Sequence, residues 1–283
     1  MARPFLTARW QDLVLITYAI EPAFVQPFLP AGCVPDVIDG AARCSLVAFE
    51  FLSAKVRGVR WPYHADFPEV NLRFYVKCDG LRGVSFLREF VPRRAIALVA
   101  RLIYNEPYAA IPMHRHRIQE AGHIKVEHNL QVHGQWQRIS VTAEGPAMVP
   151  ELDPDADWIK EHRWGFGQTR SGRPLAYEVV HPAWAIYSGV TLSLKFDFAH
   201  VYGPEWAFLN EETPISTILA AGSDVEVWPR MVDETPRRES RIPDVSATYV
   251  AASDLHRQRN FLPLPLRGRL GGGGERESAI DCR

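Results

Sequence analysis

Glu69-Val70-Asn71-Leu72-Arg73-Phe74-Tyr75-Val76 alternates polar and apolar side chains without a break. A repeat of two is that of an extended strand, so Val70, Leu72, Phe74 and Val76 take one face and Glu69, Asn71, Arg73 and Tyr75 the other. Strands are predicted likewise at Leu13–Tyr18, Ala42–Leu52, Gly83–Phe90, His123–Val132, Gln137–Ala143, Ala176–Val180, Thr191–Phe198 and Val225–Trp228. Asp39-Gly40 and Asp79-Gly80 fall between strands, and Asp-Gly supplies the two left-handed residues that a tight hairpin needs. Helical signals are few. Thr213 as cap, Pro214 in the first turn and Gly222 beyond the end predict a helix over Pro214–Ala221. A second is predicted near Ala95–Ile103, ended before Pro107, and a short helical turn after Glu21-Pro22 must stop by Pro30. Many strands with two or three short helices predict a mainly β domain, its antiparallel sheet wrapped into a barrel or sandwich.

The 283 residues are 47% hydrophobic and 23% charged, enough to bury a core. The 32 basic and 33 acidic side chains leave a net charge of −1, which argues against nucleic-acid binding through a broad positive field. No apolar run reaches membrane-spanning length, and MARPFLTARW lacks a signal peptide's apolar region, so a cytoplasmic protein without membrane contact is expected. Cys33, Cys44, Cys78 and Cys282 form no CxxC pair and read as ordinary cytosolic thiols. The basic side chains are 27 Arg against five Lys (Lys55, Lys77, Lys125, Lys160 and Lys195), which limits any chemistry that needs an amine. From Met231 onward nine Arg balance eight acids, and Gly271–Gly274 is unbroken. A domain over residues 1–230 and a disordered tail over 231–283 are therefore expected, with Phe261–Leu266 the apolar stretch in the tail that could dock.

The stretches FLTARWQDLVLITYAIEPAFVQPFLPAG (5–32), EVNLRFYV (69–76), GVSFLREFVPRRAIALVARLIYNEPY (83–108), EHRWGF (161–166), HPAW (181–184) and AGSDVEVW (221–228), in that order, resemble the YqjF-like proteins. These resemble in turn the acetoacetate-decarboxylase-like superfamily. The resemblance implies a cone-shaped antiparallel β-barrel with a small-molecule site inside. The superfamily's decarboxylases use an imine-forming lysine after a short helix. Aligned on Pro107, that position is Tyr108 and the neighbouring lysine is Ala109. A phenol forms no imine, so an imine mechanism is not expected. The pattern of aromatic, spacer and glutamate opening a strand is kept in Phe67-Pro68-Glu69. A cavity arginine of the first strand aligns with Gln11, and Arg9 lies two residues earlier.

From the resemblance and the residues together, Glu69, Tyr108 and Glu106 are the catalytic candidates, and Arg9, Asn71, Arg73 and Asn105 the substrate-binding candidates. Glu69 would act as acid or base, Arg9 or Arg73 would clamp an anion, and Tyr108 with Asn105 would orient a carbonyl. The bland alternatives stay open. The face of Glu69 to Tyr75 could meet water, and Asn105 and Glu106 could finish the helix. His114-Arg115-His116 has ligand spacing, yet flanking arginines oppose a cation, so no metal and no cofactor are expected. His162 and His181 fit hydrogen-bonded barrel corners near Trp164 or Trp184, and Arg93-Arg94 fits a solvated pair. Three functions stay open: an enzyme acting without an imine on an oxo- or carboxylate-bearing molecule, a binding or sensing module, and an assembly component with a vestigial cavity. The expected partners are a small molecule and further copies of the chain.

Overall fold

The computed structural model of the chain describes residues 3–103, 105, 107–150 and 162–232. Its strands are β1 (Leu6–Ile20), β2 (Cys33–Pro35), β3 (Ala42–Val56), β4 (Val59–Arg60), β5 (Phe67–Cys78), β6 (Leu81–Val91), β7 (Tyr108–Ala110), β8 (Met113–Glu120), β9 (His123–Val132), β10 (Gln135–Met148), β11 (Trp164–Gln168), β12 (Pro174–Val180), β13 (Ile186–Lys195), β14 (Ser216–Val227) and β15 (Met231–Val232). Helices are short: α1 (Pro22–Val25), α2 (Arg94–Ile103) and α3 (Phe198–Tyr202). The tail expected over 231–283 begins with β15, whose two residues pair with Leu175 and Ala176 of β12; the rest lies outside the described residues. Among the described residues no helix is long and apolar enough to cross a membrane.

Strand pairing closes a ring. In order around it run β14, β12, β11, β6, β5, β3 and β1, and β1 returns to β14 along eleven residue pairs. All steps are antiparallel except β6 to β11. That strand covers only the start of β6; its end is covered by β7, also parallel, which α2 delivers to the same edge. From β14 the sheet continues outside the ring as β13, β10, β9 and β8.

This layout yields two apolar layers. Val70, Leu72, Phe74 and Val76 of β5 pack with Val14 and Ile16 of β1, Leu46 of β3 and Val126, Leu130, Ile139 and Val141 of the outer strands. Inside the ring, Leu13, Leu15, Val47, Phe49, Phe51, Phe67, Val84, Ile218 and Ala220 form a second cluster. Strand β5 is therefore buried on both faces. Its polar face points inward, not to water.

An ionic clamp holds the outer strands on the ring. Arg115 of β8 donates to both Asp12 of β1 and Glu50 of β3, and Arg117 Nε lies 2.8 Å from Asp12 Oδ2. Asp12 is buried and sits at a bulge with φ 50°, where β1 carries one residue more than β3. The bulge switches which residues of β1 face inward, so Trp10 and Leu13 both reach the interior.

Three expectations change. Pro214–Ala221 is not helical: Ser216 to Gly222 belong to β14 and pair with β1. The cap-like residues are a local preference of a few kcal/mol at most, and a ring that needs a strand between β1 and β13 overrides it. Gly222 pairs with Gln11 at φ 80°, with its ideal Cβ position 2.1 Å from the Trp10 carbonyl oxygen. The thiols expected at 33 and 78 are joined as a disulfide between β2 and β5, across a pair with Cα atoms 4.4 Å apart. Forty-five residues separate them, so no local motif announces the bridge. Cys44 is free and buried, and Cys282 lies outside the described residues. The Thr191–Phe198 strand ends at Lys195, because Asp197 accepts from the His200 backbone N–H and starts α3 at Phe198.

Asp12→Ala takes one of two carboxylate partners from the mostly buried Arg115, and the same partner from Arg117, and should cost about 3 kcal/mol in denaturant unfolding. Gly222→Ala meets backbone, not a side-chain tip, at a left-handed φ, so a loss of about 2 kcal/mol or more is expected by the same measurement.

Candidate active site

Inside the ring lies a cavity of about 220 Å³. Its polar centre is built by three neighbouring strands. Glu69 and Asn71 come from β5, Glu89 from β6 opposite Asn71, and Tyr108 from β7 opposite Glu89. The Tyr108 hydroxyl donates to Glu69 Oε2 at 2.9 Å, and Asn71 Nδ2 donates to Glu69 Oε1 at 3.0 Å. The Glu89 carboxyl lines the same centre, near enough to act on the ionisation of Glu69. Exposures of 2% for Glu69 and 3% for Glu89 leave water little access to the pair.

Charge on a carboxyl in such a place is costly, so the neutral form of Glu69 is favoured. Burial pushes Glu69 up to about 7, while the hydrogen bonds from Asn71 and Tyr108 act in the opposite direction. Burial, and next the charge on Glu69, raise the Tyr108 phenol well above its ordinary value, so it stays a hydrogen-bond donor.

Below this centre Arg73 lines the cavity, with its guanidinium turned toward Tyr75: Nη2 to the Tyr75 hydroxyl is 3.4 Å, and the charge lies 5.3 Å from that ring. Tyr75 bonds Ser45, which bonds Thr17, so polar groups continue into the barrel. The ring of His162 lies 4.9 Å from that of Tyr75. Above the centre the walls are aromatic: Phe51 stacks on Phe67 at 4.7 Å, and Trp10 lies 5.1 Å from Phe49 and 6.0 Å from Trp184. His181 stacks on Trp184 at 4.2 Å. Helix α2 adds Ile96 and Val99 to the lining. Gly165 lets the Tyr177 ring lie against β11, since its ideal Cβ position would fall 2.3 Å from that ring.

Of the candidates read from the sequence, Glu69, Asn71 and Tyr108 come together, and Arg73 lines the same cavity. Arg9 does not join them. It sits on the outer face, 3.8 Å from Asp224 with half its side chain exposed, because its inward neighbour on β1 is Trp10. Asn105 binds the Gln168 carbonyl at 2.7 Å and does not line the cavity; at φ 54° it finishes the helix in a conformation Asn tolerates. Glu106 lies outside the described residues. His114 and His116 are exposed on β8, and among the described residues no group of three His, Cys, Asp or Glu is placed to hold a metal.

Glu89 is the residue that alternation misplaces. Strict period two in GVSFLREF puts it on the face of Ser85 and Leu87, opposite Val84 and Phe86. A bulge between the pairs Leu72–Arg88 and Arg73–Phe86 shifts β6 by one, so Val84, Phe86 and Glu89 all face inward. The adjacent apolar pair Phe86-Leu87 is the sequence signal for that slip.

Comparison with known proteins agrees with this architecture. The chain is 27% identical to the uncharacterized protein YqjF of Bacillus subtilis (strain 168) over 225 residues, 78% of this chain and 89% of that protein. Its fold resembles acetoacetate decarboxylase from Legionella pneumophila, with a TM-score of 0.58 at 13% identity over 82% of this chain and 88% of that one. An acetoacetate decarboxylase-like enzyme from Sphingomonas wittichii RW1 gives 0.58 at 14% identity over 83% and 95%. The enduracididine biosynthesis enzyme MppR, solved with pyruvate, gives 0.58 at 15% identity over 82% and 91%. The fold is thus acetoacetate-decarboxylase-like, and with residues 7–224 matching the family of uncharacterized conserved proteins designated DUF2071, the chain belongs to that family.

Proposed function

We propose that the protein is an acid–base enzyme that moves a proton next to the carbonyl of a small molecule, without an imine. The observation that carries this reading is the buried Glu69 carboxyl, beside Glu89 and held at 2.9 Å by the Tyr108 hydroxyl. A carboxyl poised near 7 exists as both acid and base at neutral pH, the condition for efficient proton transfer. In the proposed step, a ligand carbonyl takes the Tyr108 hydrogen bond. The Glu69 carboxylate removes a proton from the adjacent carbon; the C–H electron pair forms a C=C bond as the carbonyl π pair moves onto oxygen to give an enolate. Return of the proton from the carboxyl pair, at either end of the enolate, completes a tautomerisation with nothing consumed. Among the described residues no lysine lines the cavity, which supports the absence of an imine: Lys77 pairs with Asp36 at 2.6 Å, and Lys125, Lys55 and Lys195 lie on strand surfaces.

Exchange of α-hydrogens for deuterium, followed by NMR on a panel of oxo compounds, reads this step directly. The rate should rise with pH through about 7, because the base must be ionised. Glu69→Gln should lower it a hundredfold or more; an unchanged rate would show that Glu69 is not the base. The same variant should be no less stable than wild type at pH 8. Its carboxyl ionises more easily unfolded than folded, so Glu69 weakens the native state as pH rises from the ordinary carboxyl range through about 7. Ligands that raise Tm without any exchange would indicate a binding module instead.

Borohydride added with a β-keto acid should trap no adduct on any of the five lysines. A trapped adduct would overturn the imine-free reading.

A further inference from the structure

The cavity is unlike one shaped for a short oxo acid. Among the described residues Arg73 is the one arginine or lysine in its lining. It stands four residues beyond Glu69 on the same strand face, about 13 Å along β5, and its guanidinium leans farther away, onto Tyr75. In a β-keto acid the carboxylate lies a few bonds from the oxo group. With its oxo group at Tyr108, such a molecule cannot reach Arg73, and its charge falls beside the Glu69–Glu89 pair, where like charge repels it.

The opposite end of the cavity has another character. Phe67 lies one inward position before Glu69, about 7 Å along the strand. With Phe49, Phe51, Trp10 and Trp184 it makes an aromatic collar directly above the carboxyls. Within that collar the Trp10 indole N–H is buried and has no acceptor among the described residues. At the carboxyl layer the Asn71 Oδ1 is likewise buried and lacks a donor. Buried polar groups are nearly always satisfied, so two orphans lining one cavity mark positions for ligand atoms.

We propose that this site takes a neutral aromatic carbonyl compound, with its oxo group at the Glu69–Glu89–Tyr108 layer and its ring, bearing an acceptor oxygen, in the collar beside Trp10. The assignment rests on the proposed reading of the cavity as a site for a carbonyl compound, and it names the ligand class. An enol or hydroxyl hydrogen of the bound molecule satisfies Asn71 Oδ1, and the ring oxygen satisfies Trp10 Nε1. A ring two methylenes from its carbonyl spans the step from the carboxyl layer to the collar.

Calorimetry on the full-length protein with benzylacetone, its para-methoxy derivative and acetoacetate tests this without requiring turnover. The two aryl ketones should bind at least tenfold tighter than acetoacetate, and the methoxy compound about three- to tenfold tighter than benzylacetone. Trp10→Phe keeps an aromatic collar and removes the N–H, so it should erase the methoxy preference, any change in collar packing falling on both ketones alike. Equal or tighter binding of acetoacetate, no binding of either aryl ketone, or a methoxy preference that survives Trp10→Phe would overturn the proposal. Binding as expected with no deuterium exchange would leave the ligand class standing and remove the acid–base reading, so the two fail separately.

Discussion

Strand β5 has no face left for water. One side is pressed against the outer strands through Val70, Leu72, Phe74 and Val76, and the other closes the interior of the ring. A glutamate on such a strand must lose its charge or find partners, because an isolated buried carboxylate is far too costly. Glu69 does both: burial pushes its pKa up to about 7, and it accepts from Tyr108 and Asn71. The polar centre is thus a consequence of sandwiching a polar-faced strand between two apolar layers. The ring, the outer sheet and the buried carboxyls form one arrangement.

That arrangement depends on irregularities. Regular alternation along β1 would turn either Trp10 or Leu13 outward, and along β6 it would turn Glu89 away from Glu69. Bulges near Asp12 and near Leu87 correct both. Bulges bend strands and help a sheet close, so the features that let the ring form also aim the side chains of the site. The same bulge on β1 exposes the Asp12 carboxylate to Arg115 and Arg117, tying the outer strands on. Architecture and chemistry share residues here.

The proposed chemistry follows from what the pocket holds and from how it is layered. A carboxyl pair and a phenol fill the place where the resemblance would put an amine. They suit movement of a proton at carbon, with the phenol supporting charge on oxygen. The Arg73 guanidinium lies deep, against Tyr75, and the aromatic collar lies above. This order separates the anion-friendly end from the reacting centre and gives the molecule a directional cavity, apolar at one end and polar at the other.

The sequence by itself determined the class of structure and the residues of the strand face that lines the cavity. Alternation in 69–76 placed Glu69, Asn71, Arg73 and Tyr75 together, the Pro107 alignment pointed to Tyr108, and most strands were legible because a half-apolar strand writes its period into the chain. Tertiary structure decided the rest. It turned the polar face inward and chose a strand over a helix at 216–221. It also set Arg9 outside while Trp10 went in, joined Cys33 to Cys78 across forty-five residues, and brought Glu89 beside Glu69. Each of these depends on which distant strand lies alongside and on where one extra residue slips into a ladder. Closure of the ring settles both, since its pairing partners are far apart in the chain and carry no local mark.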